Sequence, residues 1–192
     1  DDRADEDGIV GVLVPSGGVA MLTLERYDHA KARGAEILGV VESFTFSSDG
    51  ANLALLTGEG LQRCMEECLG RGGVAPEQVD CVQAHATSTP RGDLVEAQII
   101  DAVFKNHKPW VTATKSMTGH EMWMSGASQI VYALLMARAG FVAPAVNFQR
   151  KDDEAPELKI PRQAEEAKVK KILCNSAGFG GTNSCILLRV GS

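Results

Sequence analysis

Apolar and polar positions recur along this chain with two different periods, and the changes between them mark out its elements. GGVAMLTLE (17–25) reads as a strand, and RYDHAKARGA as a short helix closed by Gly34. EILGVVESFTF is a long β-rich run. In GEGLQRCMEECLGRGG, Leu61, Met65, Cys68 and Leu69 share one helical face before a double glycine stops the helix. VDCVQAHA is a short apolar strand. GDLVEAQIIDAVF is an amphipathic helix with Leu94, Ala97, Ile100 and either Ile99 or Phe104 facing inward. PWVTAT is a further strand and SGASQIVYALLMARAG an apolar helix; KKILCNSAG and NSCILLRV are closing strands around the loop GFGGTN. Strands alternating with helices predict an α/β fold with a largely parallel sheet and helices on both faces. The last two strands, joined through glycines, predict an antiparallel addition.

Composition narrows the possible functions without naming one. The 192 residues are 44% hydrophobic and 23% charged, which suits one core in one domain. A net charge of -6 and a pI near 5.2 argue against nucleic acid or an anionic membrane as partner. The KVKK run at 168–171 reads as a solvated helix end. Five cysteines stand at 64, 68, 81, 174 and 185, with no C-x-x-C and no paired histidines. They are expected to be buried thiols of a reducing cytoplasm rather than metal ligands. No apolar run approaches the length of about eighteen residues that a membrane span needs. The chain opens in DDRADEDG without a Met, so its beginning is expected to lie further upstream.

Candidate chemistry gathers in three loops. His85 ends the apolar run of VDCVQAHA, where the carboxyl ends of strands in open α/β sheets place ligands. Thr87, Ser88 and Thr89 follow as hydroxyl donors, and Asp93 is positioned to cap the next helix. Lys115 and His120, in TKSMTGH, stand after the next short strand. Two neutral imidazoles can donate N–H bonds to one carbonyl or carboxylate oxygen, and a nearby ammonium can order them. SAGFGGTN is neither a phosphate-binding loop nor a dinucleotide fingerprint. Its glycines permit either a backbone N–H aimed at an oxyanion or a plain hairpin turn, for which an exposed Phe179 would be an odd choice.

Taken together and in order, AHATSTPRGD, TKSMTGH and NSAGFGGTN resemble the C-terminal half of β-ketoacyl-acyl-carrier-protein synthases, the decarboxylating condensing enzymes of the thiolase fold. LTLERYDHAKARGAEILGVV resembles the strand–helix link into that half, and the nearest likeness is to type II elongating synthases. The resemblance implies a mixed, mostly parallel sheet of about five strands. It also implies that residues 1–34 are the end of an N-terminal half and 35–192 the C-terminal domain. The implied activity is decarboxylative Claisen condensation of an acyl thioester with a malonyl-carrier thioester. His85 and His120 would bind the malonyl thioester carbonyl, and Lys115 would organise the second of them. Phe179 would offer a backbone oxyanion donor and a gating ring. Thr87 and Thr89 would meet the phosphopantetheine arm of the carrier, with Gly180 and Gly181 also against substrate. The implied partners are the acyl- and malonyl-loaded acyl-carrier protein, an N-terminal half, and a second subunit in a homodimer or heterodimer. No bound cofactor is implied, the phosphopantetheine arm being part of the substrate.

Four departures from the family pattern stand out. None of the five cysteines sits in the context of the nucleophile, which the family places at a helix start in the N-terminal half, so the chain alone is expected to be inactive. Gln129 stands where a glutamate is usual, which leaves Lys115 to lean on another acid or on water. Ala177 replaces a phenylalanine and should open space beside the histidines. Ala86 replaces a glycine, which implies that the backbone there need not adopt positive φ. Two other readings stay open. One is a non-catalytic partner like the chain-length factors, against which His85, Lys115 and His120 weigh. The other is a thiolase, against which the absence of a late C-x-G loop weighs.

Overall fold

In the computed structural model, which describes residues 13–50, 57–89, 91–148 and 150–191, the chain forms a five-stranded sheet between two layers of helix. Its elements in chain order are α1 (Tyr27–Ala32), β1 (Gly39–Ser48), α2 (Glu59–Gly72), β2 (Cys81–Gln83), α3 (Gly92–Phe104) and β3 (Trp110–Thr112). After these come α4 (Lys115–Thr118), α5 (Ser125–Ala139), β4 (Phe141–Val142), β5 (Glu165–Glu166), β6 (Lys171–Gly178) and β7 (Thr182–Val190). The sheet runs β1-β7-β6-β2-β3, and β4 pairs with β5 apart from it. β2 is parallel to both β3 and β6, whereas β6–β7 and β7–β1 are antiparallel. The expected mixed sheet is therefore present, with its parallel part at β6-β2-β3 and the closing hairpin as the antiparallel addition.

Alternation along the strands divides the core. Val82, Leu173, Cys185 and Leu187 pack against α2 and α3, through Leu61, Met65, Ile100 and Phe104. Their neighbours Cys81, Ile172, Cys174 and Leu188 face α5, through Ala133 and Leu134. Successive side chains of a strand point to opposite faces, so the near-continuous apolar run KILC feeds both layers. All five cysteines are buried and free, as expected.

β1 holds α2 by a different device. Ser43, Thr45 and Ser47 donate their hydroxyls to the carbonyls of Cys68, Cys64 and Gly60, at 2.6, 2.7 and 2.6 Å. Two residues of strand advance about 6.6 Å and four of helix about 6 Å, so hydroxyls spaced by two meet carbonyls spaced by four. The other face of β1 is bare: Phe44 is 62% and Phe46 73% exposed.

Some expectations need correcting. Residues 17–25 form no strand; among the described residues the only pairing nearby is an isolated bridge between Pro15 and His120. A strand needs a ladder partner as well as a pattern, and no described strand lies beside this segment. KVKK lies in extended chain leading into β6 rather than at a helix end. On α3 the buried face is Glu96, Ile99, Ile100, Val103 and Phe104; Leu94 and Ala97 are only half-buried, because they border a cavity. The polar opening at 1–8 lies outside the described residues. Among the described residues no helix is long and apolar enough to cross a membrane.

Candidate active site

Because β2, β3 and β6 are mutually parallel, their carboxyl ends share one edge of the sheet. His85 follows β2, Lys115 follows β3 to open α4, and Phe179 follows β6. The topology thus carries the three sequence motifs to one side of the molecule.

There the two imidazoles meet. The rings of His85 and His120 stand 5.4 Å apart, centre to centre, and nearly perpendicular. Lys115 Nζ lies 3.4 Å from His85 Nδ1. The backbone N–H of Met122 donates to His120 Nδ1 at 3.1 Å. Each Nδ1 therefore faces a donor and must accept, which leaves the proton of each neutral ring on Nε2. Met122 adopts a φ of 52° to aim its N–H this way, an uncommon conformation for a residue with a side chain.

His120 is also gripped through its backbone. Its N–H donates to Val14 O at 2.7 Å and its carbonyl accepts from Ser16 N at 2.9 Å. The chain reaches this strap through Gly119, at φ 74°, where a Cβ would come within 2.9 Å of the Ser16 side chain.

Glu96, absent from the sequence-based candidates, holds the other histidine. Buried on α3, its carboxylate accepts the backbone N–H of His85 and of Ala86, both at 2.8 Å, and the Asn175 amide at 3.3 Å. This overturns the expectation for Ala86: its φ is 28°, positive despite the Cβ, and the carboxylate below fixes that bend. Asp93 does not cap α3 either. Its carboxylate turns back to accept Ser88 N–H at 3.1 Å, and Ser88 too has positive φ, 65°. Gln129 donates to the carbonyls of Ala84 and Asn175 at 2.7 and 3.5 Å, so it braces the strand before His85. Lys115 has no ion pair among the described residues; the acids nearest in effect are Glu96, Glu121 and Asp93.

Burial sets the charge states. Burial, then Lys115 and His120, pushes the His85 pKa down to about 3, so that ring is neutral at physiological pH. Burial also lowers Lys115 to about 8, against the opposing carboxylates of Glu96, Glu121 and Asp93. His120 is lowered by burial and by Lys115, with Glu121 opposing. Asp93 is raised to about 6 by burial and by the neighbouring Glu96.

A cavity of about 520 Å³ opens beside this cluster. Thr87, Ser88, Lys115 and His120 border it, with Ile100 and Val111 among its apolar lining. Thr89 does not line it, but its hydroxyl lies 3.3 Å from that of Thr87. The glycine loop is a hairpin turn, with Gly180 and Gly181 at φ 83° and 74°. Phe179 rides that turn and is 81% exposed, contrary to the expectation that an exposed turn would not carry it. Neither Phe179, the two glycines nor the half-buried Ala177 lines the cavity. The structure thus gathers Lys115, His120 and Thr87 around one space, with His85 against Lys115 and His120 but not in its lining, and leaves Phe179, Gly180 and Gly181 on the same sheet edge outside it.

Comparison with known proteins gives this geometry a family. The profile of the "Beta-ketoacyl synthase, C-terminal domain" family matches residues 38–149. The 3-oxoacyl-[acyl-carrier-protein] synthase 1 of Escherichia coli (strain K12) is 38% identical over 177 residues, 92% of this chain and 43% of that protein. Among solved structures, a ketosynthase of a type II polyketide synthase, in complex with its acyl-carrier protein, superposes with a TM-score of 0.83. It is 29% identical, over 88% of this chain and 42% of that one. The ishigamide ketosynthase/chain length factor gives a TM-score of 0.82 at 32% identity, over 86% of this chain and 41% of that one. The chain spans less than half the length of the curated relatives it matches. The profile takes in more than half of the chain, and with the imidazole pair at the shared sheet edge the conclusion is direct: this chain belongs to the β-ketoacyl synthases, as their C-terminal domain.

Proposed function

We propose that this domain carries the malonyl-binding and decarboxylating half of a condensing enzyme that elongates acyl chains on an acyl-carrier protein. The observation behind this reading is the imidazole pair: two rings 5.4 Å apart, each with an Nδ1 that faces a donor and so with its proton on Nε2, and His120 bordering a cavity. A malonyl thioester whose carbonyl oxygen accepts both N–H groups can break the bond between C2 and its carboxylate. Carbon dioxide leaves, and the bonding pair passes through C2 to the oxygen as an enolate. Donors fixed beforehand in a partly dry site stabilise that charge better than water does. The enolate carbon then attacks an acyl thioester, forming the new carbon–carbon bond and expelling a thiolate. Thr87 and Thr89 would steady the pantetheine arm, and Phe179, Gly180 and Gly181 would act on the acyl side.

The thiolate must come from elsewhere. All five cysteines here are buried: burial raises Cys68, lifts Cys81 to about 12 and Cys174 further still, and Cys185 is raised chiefly by its hydrogen bond with Cys64. Cys64, lowered to about 6 by its hydrogen bonds, is sealed in the core and does not line the cavity. We assign the nucleophile to an N-terminal half, to which residues 13–34 also belong. Val19, Met21 and Leu24 in that stretch are 79% to 87% exposed, as expected of a segment that belongs in another layer.

Assayed in the full-length protein, His120→Ala should lower carbon dioxide release from malonyl-carrier protein about a hundredfold. Undiminished release would refute the role given to His120. The likeness to a ketosynthase/chain length factor keeps a second reading, a non-catalytic partner subunit. Acyl-carrier loading separates the two: an enzyme traps an acyl group on a cysteine of its N-terminal half, whereas a partner subunit does not.

A further inference from the structure

Glu121 follows His120 in the chain and is 7% exposed. Both its oxygens are engaged: Ser128 Oγ donates to one, and Tyr132 OH to the other at 2.9 Å. Ser128 and Tyr132 lie one turn apart on α5, so a single helical face clamps the carboxylate. Among the described residues neither Glu121 nor the equally buried Lys115 has an ion-pair partner. A buried carboxylate without a cation in contact is costly, and two neutral hydroxyls compensate only part of that cost. Its charge is nevertheless felt by the site. At His120 it opposes the effects of burial and of Lys115; at Lys115 it adds to Glu96, the larger influence, and to Asp93. On its other side it faces Tyr132. His85 meets the same field only through Lys115 and His120. Gln129, neutral and with its amide nitrogen directed to two carbonyls, brings no charge from α5.

We propose that Glu121, clamped by Ser128 and Tyr132, is a positioning residue for decarboxylation: a fixed buried counter-charge that holds Lys115 as the ammonium facing His85, and that in doing so makes His120 easier to protonate. The inference rests on the functional reading above. A protonated His120 would turn an N–H of Nδ1 into that of Met122, so His120 sets the acid limb of the rate profile. Deprotonated Lys115 can accept as well as donate and no longer fixes the tautomer of His85, so Lys115 sets the alkaline limb.

The test is the pH profile of carbon dioxide release from malonyl-carrier protein by the full-length enzyme. Glu121→Gln removes the charge and keeps the shape. Both groups then give up protons more readily, so both limbs should move acidward, by about one pH unit. Glu121→Asp keeps the charge and should keep both limbs in place. If E121Q does not fold, the pair E121M/Y132F replaces the carboxylate and one hydroxyl together, which avoids orphaning the phenol, and should show the same acidward movement. A merely structural carboxylate predicts a lower rate with stationary limbs; that result in either neutral variant overturns the proposal. Full release by H120A would remove the functional reading and this inference with it, whereas stationary limbs overturn the inference alone.

Discussion

Lys115 is the residue whose protonation most directly limits the proposed chemistry. Held at about 8 by burial, it is charged at neutral pH and loses its proton on mild alkalinisation. Loss of that proton gives Lys115 a lone pair that can accept from His85 Nδ1, and so removes the reason for the ring to keep its proton on Nε2. Decarboxylation should therefore fall as pH rises through about 8. Lys115→Arg should carry activity to higher pH, since a guanidinium stays charged; a limb that persists near 8 in K115R would assign it to another group. His85, Lys115 and His120 were legible in the sequence because each follows a short apolar strand. Glu96 was not, although the signal was there: it shares a helical face with Ile99, Ile100 and Val103, and a carboxylate on an apolar face needs buried donors. The positive φ of Ala86 was hidden for the same reason, since its cause lies ten residues away in a side chain.

Among the elements, α2 and the β6–β7 hairpin were readable because their patterns are closed locally, by a glycine stop and a glycine turn. The run at 17–25 was not, because alternation reports which side chains want burial and says nothing of whether a partner strand is present. The bond between β1 and α2 shows the converse. The sequence ESFTFSS looks like a strand with an ordinary polar face, yet its three hydroxyls are what fix the helix. Thr45→Val keeps the shape and removes the middle hydroxyl. It should cost about 1 kcal/mol, measured by urea denaturation, because the Cys64 carbonyl also loses a buried donor. A change within error would mean that β-branched packing, not the hydrogen bond, holds the contact.

For the whole molecule, the relevant quantity is the apolar surface left uncovered. Phe44 and Phe46 on β1, Val19, Met21 and Leu24 ahead of α1, and Trp123 beside the site are all largely exposed. This is more than scattered surface apolarity, because several of these residues follow one another along single segments. Expressed by itself, this chain should bind a dye specific for apolar surface or self-associate, and adding the proposed N-terminal half should suppress both. A monomer that binds no dye would show that these side chains are covered from within, and would undo the assignment of residues 13–34 to another layer.

The strap at Val14 and Ser16 has a practical consequence for recombination between relatives. A domain graft cut where the family profile begins, at residue 38, would transplant both imidazoles and leave behind the two residues that hold the backbone of the second one. The natural crossover point lies upstream of Val14, so that the tether travels with the histidine it holds.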